Sequence, residues 1–571
     1  LDTQTEKEIL KHRTKFDKIL KTEFGDPSSA RNYGADYSTC NFILFADGDD
    51  LVSKHALNAL FVAVYNHYCD KLLKNKLSLS DLSCNEHAII VPRALIEFPV
   101  LRMQIYSPSN NNITYNNAFD HLYISKLLVC RKLHEEKLKF RESHLPYGFE
   151  DWDFNNRALA LGVKFLLADY SFYYRKKKKG ISLLQNSLKS NAVVHNSPLY
   201  KIIMGKFDEN PQKKEADHYA TDLLTRDDHI DFLEKYNEET ENYTEFNINN
   251  FDFFSNNLSY SVKTYIKLSN FLGDKEIILF SPWIILGGAD KLTIEHANIL
   301  KKNNYKSGLI TTISPGERIS KIEIPTFDMI ENCEGWDKFS IQRQTDIFLK
   351  ALVNSQVKLI HVINSEIVLI LIKNYKQVLE NCGIKVIVSF FCPDYNWEKD
   401  EFHGFPVMYP EVLKNADIIL SDNNYWRNYF EELAGTTINY KKLASPVEIG
   451  FKTKENVTNN KKILWVSRIC NQKLIEVLYD ICKSNPDLEF TIYGNLFGEE
   501  KASRYFSKIL TLKNIVYIGT YNIIDEILIN DFDLYIYTSL FDGIPNIILD
   551  MISLNIPIVS SNVGGIAEIF G

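Results

Sequence analysis

The sequence predicts an α/β protein of more than one domain, and three observations predict it. Strand-like apolar runs alternate with helical patterns through the carboxyl-terminal half, the mark of parallel, doubly wound sheets. Near the amino terminus a short apolar run, Phe42 to Ala46, leads straight into Asp47-Gly48-Asp49-Asp50. At 571 residues the chain is too long for one hydrophobic core and suits about three or four domains.

Composition narrows the class. The 45% hydrophobic and 24% charged residues are those of an ordinary globular chain. A net charge of −8 and a pI near 6.0 argue against nucleic-acid binding, which needs a basic surface to neutralise phosphates. Nine cysteines without a Cys-x-x-Cys pair read as scattered thiols of a reducing compartment. The longest apolar run, about Ile277 to Ala289, is too short to span a bilayer and is broken by Ser281-Pro282. No signal peptide is visible, so the expected location is the cytoplasm, at or near the inner face of the membrane. The chain starts at Leu1 in a helix-like segment (Glu6 to Leu20) and stops at Gly571 amid a strand–helix pattern, and so reads as a slice of a longer polypeptide.

The run Phe42 to Ala46 is expected to be a buried strand, and Gly48 permits a tight bend after it. This places hard oxygen ligands at the carboxyl edge of a sheet, where α/β folds bind ligands. Such ligands suit Mg²⁺ or Mn²⁺, and that ion would neutralise a diphosphate. Asp-x-Asp recurs at Asp151/Asp153 and Asp531/Asp533, so the flanks matter. Upstream, Ser28-Ser29 are expected to cap a helix carrying Ala30-Arg31-Asn32. Downstream, Ser53 to Leu73 reads as a helix with an apolar face at Ala56, Leu57, Leu60, Val64 and Tyr65, and Ala88 to Pro92 as a strand. Gly148-Phe-Glu-Asp-Trp-Asp153 opens a helix through Ala160, ended by Gly162, with Glu150 and Asp151 in a first turn that favours anions. After an aromatic strand, Tyr170 to Tyr174, comes Arg175-Lys-Lys-Lys-Lys179: either a solvated loop or one that closes on a diphosphate or an anionic lipid. His195 reads as a surface histidine before a terminal helix, not a metal ligand.

The ordered trio of Ala30-Arg31-Asn32, the acidic turn and Glu150-Asp-Trp-Asp153 resembles the family 2 glycosyltransferases, of GT-A fold, over roughly residues 1–205. The resemblance implies an inverting sugar transfer. Asp47 and Asp49 would hold Mn²⁺ or Mg²⁺ and with it the donor diphosphate, while Arg31 and Asn32 shape the nucleotide pocket. Bracing of their own helix is the competing reading for that pair. Asp151, with Glu150 as alternate, would take the acceptor hydroxyl proton. The strand–helix units that open such a domain are missing, so this is a partial GT-A domain.

Residues 206–272, rich in Asp, Glu, Asn and Lys, read as a polar linker, helical from Asp217 to Tyr236. Ten strand-like runs follow: Ile277–Phe280, Ser307–Thr312, Lys358–Val362, Lys385–Phe390 and Asp417–Ser421, then Lys461–Ser467, Glu489–Tyr493, Ile515–Ile518, Leu534–Tyr537 and Pro557–Ser560. A gap near Pro446–Asn460 divides them into domains 273–450 and 451–571, with a nucleotide expected between their carboxyl edges. Gly287-Gly288 opens a helix, whose N-terminus favours a phosphate. Trp465-Val-Ser-Arg468, with Lys473 shortly after, places two cations to hold a diphosphate.

With Ser539-Leu-Phe-Asp-Gly-Ile-Pro545, Asp550 and Gly564-Gly565-Ile-Ala-Glu568, these features resemble the family 4 glycosyltransferases, of GT-B fold, retaining and metal-free. The resemblance spans about residues 275–571 and implies that Arg468 and Lys473 bind the diphosphate, that Gly287 and Gly288 form the glycine loop and that His361 lies near the donor sugar. Asp542 and Asp550 stand where that family has two glutamates: Asp542 at the sugar, Asp550 at the ribose. Each is one methylene shorter, which cuts reach by more than about an Å. Either the donor sits closer or the site is weakened.

Together these readings give a tandem glycosyltransferase, a partial GT-A domain followed by a GT-B twin Rossmann-like domain. It would move sugars from UDP- or GDP-linked donors to an oligosaccharide or lipid-linked glycan of a surface polysaccharide (capsule or lipopolysaccharide), in peripheral association with the membrane. In the alternative only one module is catalytic and the other is a degenerate acceptor-binding or scaffold domain. A dehydrogenase is disfavoured, since no Gly-x-Gly-x-x-Gly opens a strand–helix unit.

Overall fold

The computed structural model describes residues 18–20, 22–47, 50–53, 55–98, 102–105, 115–121, 126–142, 144, 146–175, 187, 189–205, 259–285, 287–316, 321–445, 460–520 and 532–570. Asp49, Asp531, the basic run 176–179, the divide at 446–459, residues 6–17 of the helix expected at 6–20 and the helix expected at 217–236 lie outside the described residues. The chain splits into two compact units, Leu1–Ser269 and Asn270–Gly571.

One mixed sheet organises the first unit. Its strands are β1 (Phe42–Leu44), β2 (Leu51–Val52), β3 (Ala88–Phe98), β4 (Arg102–Ile105), β5 (Leu128–Cys130) and β6 (Lys164–Arg175). They run in the order β1-β5-β3-β6-β2, with β4 also on β3; β3 and β6 are parallel and the other pairs antiparallel. The sequence stops β3 at Pro92, but the strand continues, because a register irregularity between Pro92 and Ala94 absorbs the missing N–H. Ile89, Val91, Leu95, Ala158 and Phe172 lie in the core between the sheet and its helices.

Three helices of this unit differ from expectation in instructive ways. In α1 (Pro27–Asp36) the cap is Asp26, not Ser28-Ser29: its Oδ1 accepts the amides of Ser28 at 2.8 Å and Ser29 at 3.1 Å, and Pro27 suits the first helical position. In α2 (Ala56–Asn75) Ala56, Leu60 and Tyr68 face inward, while Leu57 is 80% and Tyr65 56% exposed. The expected face merged two neighbouring stripes. The helix of the two acids, α3 (Glu150–Ala160), runs as expected to Gly162. At the end of the expected linker, α4 (Tyr260–Leu272) buries Val262, Tyr265 and Leu268, and Tyr265 donates to the Tyr200 carbonyl at 3.2 Å. The polar flank hid an apolar stripe at helical spacing.

The second unit contains two all-parallel sheets. The larger runs β15-β14-β11-β10-β7-β8-β9, from β7 (Ile277–Ser281), β8 (Ser307–Thr311), β9 (Thr326–Asp328), β10 (Leu359–Ile363), β11 (Lys385–Ser389), β14 (Ile418–Ser421) and β15 (Tyr440–Lys442). The smaller runs β18-β17-β16-β19-β20, from β16 (Lys462–Val466), β17 (Glu489–Tyr493), β18 (Ile515–Gly519), β19 (Leu534–Tyr537) and β20 (Ile558–Ser560). All ten expected strands appear: the inner ones are near-continuous apolar runs buried on both faces, and the edge strand β18 is as apolar although Val516, Tyr517 and Ile518 are exposed. The three-residue β9 and β15 and the hairpin of β12 (Asp394–Asn396) and β13 (Glu401–His403) are too short and polar to announce themselves. In each sheet the chain order reverses beside the first strand: β7 lies between β8 and β10, and β16 between β17 and β19. All nine cysteines are free thiols. Among the described residues no helix is long and apolar enough to cross a membrane.

Candidate functional site

Open α/β sheets bind ligands beyond the carboxyl ends of their strands, at the point where strand order reverses. In the smaller sheet that point lies between the loops after β16 and β19, and it collects Arg468, Lys473 and Asp542. Lys473 Nζ is 2.5 Å from Tyr537 Oη and 2.5 Å from Asp542 Oδ2, and the Tyr537 hydroxyl donates to the same carboxylate. Burial pushes the Asp542 carboxyl up, but Lys473, Tyr537 and the Gly543 amide outweigh it and hold it below the usual range. Leu474, directly after Lys473, has φ 48°, strained backbone at the bend that aims the lysine.

Arg468 is exposed, over the Phe497 ring at 5.6 Å, with Nη2 3.1 Å from Gln472 Oε1. Gln472 donates on to the Phe541 carbonyl at 2.9 Å, which ties Arg468 to the Asp542 loop. Gly564 has φ 56°, and a Cβ there would lie 1.9 Å from the Asp542 carbonyl oxygen. A Cβ on Gly565 would lie 2.5 Å from the Asn423 Cβ. These glycines are required by close approach to the site.

The carboxyl edge of the larger sheet meets this one. From β7 the chain passes Gly287 into α5 (Gly288–Lys302), and Asp550 sits on α6 (Asn546–Ser553). Lys291 Nζ lies 3.1 Å from Asp550 Oδ1, and Asn546 Nδ2 donates to the Gly288 carbonyl at 3.2 Å. Past β14, the buried Asp422 accepts the Ile544 amide at 2.8 Å; burial, reinforced by Asp542, raises its carboxyl to about 6. Trp426 Nε1 donates to the Asp542 carbonyl at 2.8 Å. Glu568 accepts the amides of Asn424 (2.6 Å) and Tyr425 (2.8 Å).

His361 belongs to the larger sheet. It occupies the middle of β10, below the strand end, with Nε2 2.8 Å from Ser389 Oγ and its ring 5.2 Å from that of His296 on α5. Burial lowers the pair to about 3 for His361 and about 4 for His296, so both are neutral.

In the first unit Arg31 gathers the acids. Its Nη1 is 2.9 Å from Glu150 Oε1 and its Nη2 3.3 Å from Asp47 Oδ1. Lys126, 5% exposed, reaches Asp47 Oδ2 at 2.7 Å and also pairs with Asp50. Burial raises the Asp47 carboxyl, and Lys126 with Arg31 more than reverses that. Asp151 Oδ2 is 3.5 Å from His121 Nε2, and the His121 ring lies flat on Trp152 at 5.3 Å. Phe149, just before the acids, has φ 58°. Asn32 instead braces the chain: Nδ2 donates to the Phe140 carbonyl at 2.7 Å and Oδ1 accepts its amide at 2.9 Å. His195 is half-buried and stacked on Tyr147 at 3.9 Å, where the sequence suggested a surface residue. Among the described residues no three or more His, Cys, Asp or Glu come together as a metal site.

Sequence reasoning missed Lys126, Lys291, Asp422 and Tyr537. Each acts through a partner distant in sequence except Tyr537, which ends an apolar strand five residues before Asp542.

The family model "Glycosyl transferases group 1" matches residues 460–571. No curated protein matches the chain. Among solved structures, HepE from Anabaena, in complex with UDP and glucose, is 15% identical with a TM-score of 0.41, covering 52% of this chain and 83% of its own. A glycosyltransferase from Rickettsia africae is 16% identical, TM-score 0.38, covering 52% and 81%. The lipopolysaccharide outer core galactosyltransferase WaaB is 14% identical, TM-score 0.39, covering 51% and 81%. Likeness this loose decides neither fold nor activity. The family match is local: residues 460–571 are similar to the glycosyl transferases of group 1.

Proposed function

We propose that residues 270–571 transfer a sugar from a UDP- or GDP-linked donor to an oligosaccharide or lipid-linked glycan, with retention and without a metal. One observation carries this reading: Lys473 and Arg468 stand beside Asp542 at the reversal point of the sheet that matches the glycosyltransferase model. As the bond from the anomeric carbon to the diphosphate breaks, negative charge grows on the departing oxygen. Arg468, with its guanidinium exposed, and Lys473, moving off Asp542, are the cations that stabilise it. Asp542 accepts hydroxyls of the donor sugar and Asp550 those of the ribose. Asp542, gripped by Lys473 and Tyr537, is a ligand of the sugar and not its nucleophile. Arg468→Ala should cut transfer measured in EDTA by about 100-fold or more; unchanged turnover would remove Arg468 from the mechanism.

A second reading adds an inverting transferase in the first unit, of partial GT-A type. It is favoured by Arg31, which ties Asp47 to Glu150, the residue before Asp151. Glu150 is committed to Arg31, so Asp151, 3.5 Å from His121, is the residue that takes the acceptor proton. The carboxylate oxygens of Asp47 are hard donors that fit Mg²⁺ or Mn²⁺, with Asp49 as the other ligand and Lys126 yielding its hold. A bound ion would neutralise the donor diphosphate. Mn²⁺ binding followed by electron paramagnetic resonance should be lost in Asp47→Ala; persistence there would remove Asp47 as the ligand, and no binding in the wild type would leave this unit a scaffold or acceptor-binding domain. The polysaccharide acceptor and the inner face of the membrane as working place belong to the same proposal.

A further inference from the structure

The first turn of α5 and the first two turns of α6 touch at two points, Gly288 to Asn546 and Lys291 to Asp550. The spacing is helical on both sides, so one face of each helix supplies both contacts. Gly288 permits the approach: a Cβ there would stand 3.3 Å from Asn546 Nδ2. Lys291 keeps 31% of its side chain exposed and Asp550 13%, so the pair is reachable from the cleft.

We infer that Lys291 is a donor-site residue that forms, with Asp550, a two-part clamp for a nucleoside 5′-diphosphate. The carboxylate takes the ribose hydroxyls and the ammonium takes the neighbouring phosphate. This rests on the transferase reading of residues 270–571. A ribose 5′-phosphate presents hydroxyl donors and negative charge side by side, and an ion pair presents an acceptor and a cation in the same way. Lys291 lies in the first turn of α5, where the helix N-terminus already favours an anion. By fixing Asp550 Oδ1, it also gives a short carboxylate a set orientation. A bystander surface pair would do none of this and would leave nucleotide affinity unchanged.

The test is calorimetric titration of the full chain with UDP and GDP over a range of salt, using whichever binds together with its 2′-deoxy form. Lys291→Met should weaken the diphosphate at least tenfold and flatten the dependence of its Kd on salt, since a phosphate contact is lost. Lys291→Arg should restore most of both. Asp550→Asn should abolish the preference for the ribo over the 2′-deoxy form. Wild-type affinity and salt dependence in Lys291→Met, or tighter binding, overturn the clamp alone, provided Arg468→Ala still weakens the nucleotide. A wild-type chain that binds neither UDP nor GDP overturns the transferase reading beneath it, and the clamp with it.

Discussion

Asp422 is the residue whose chemistry is most exposed to a simple test. Burial first, and the charge of Asp542 next, lift its carboxyl from 3.8 to about 6 in the folded chain. The fold therefore favours the protonated form, and this contribution is fully present below pH 3.8 and lost as pH rises through about 6. Melting of Asp422→Asn and wild type compared at pH 5 and pH 8 should show the variant gaining about 1 kcal/mol on wild type at the higher pH. A difference that does not change with pH would contradict the raised carboxyl. At this scale the sequence was legible where chemistry is local: Arg468 and Lys473 both follow one strand end, and Glu150 and Asp151 share one helix turn. It was illegible where chemistry depends on folding, as when Lys126 reaches back to Asp47 or Lys291 forward to Asp550. His361 lies in mid-strand, and a histidine in an apolar run carries no mark of its height along the strand.

At the scale of elements, the turns after β19 and β20 hold the site, and glycine makes them possible. Gly564→Ala should destabilise the chain by about 2 kcal/mol or more, because its φ of 56° and the Asp542 carbonyl 1.9 Å from the new Cβ both oppose it. Donor turnover should fall with it, as Asp542 is displaced. Gly34→Ala, inside α1 with nothing within 4 Å of its Cβ, should be neutral or stabilise by up to about 1 kcal/mol. Equal melting temperatures for the two variants would show that the close approach is not as drawn. The inner parallel strands were the easiest elements to read, because burial on both faces leaves an unbroken apolar run. Helix faces and caps were harder: Asp26 outcompetes two serines as a cap, and α2 turns Leu57 and Tyr65 to solvent.

At the scale of the whole molecule, two compact units carry two acidic–basic clusters of different construction. In the second unit, paired lysines meet paired aspartates where strand order reverses, and the family match covers that sheet. In the first, one arginine and one lysine hold the acids of a mixed sheet. The proposed division of labour assigns a transfer independent of metal to the second unit and one dependent on it to the first. The most direct measurement is sugar transfer by the full chain from a panel of UDP- and GDP-linked donors in EDTA, read by product mass, for wild type, Arg468→Ala and Asp47→Ala. The expected result is transfer in EDTA that survives Asp47→Ala and is lost in Arg468→Ala. Transfer that persists in Arg468→Ala, or none from any donor in EDTA, would contradict the account.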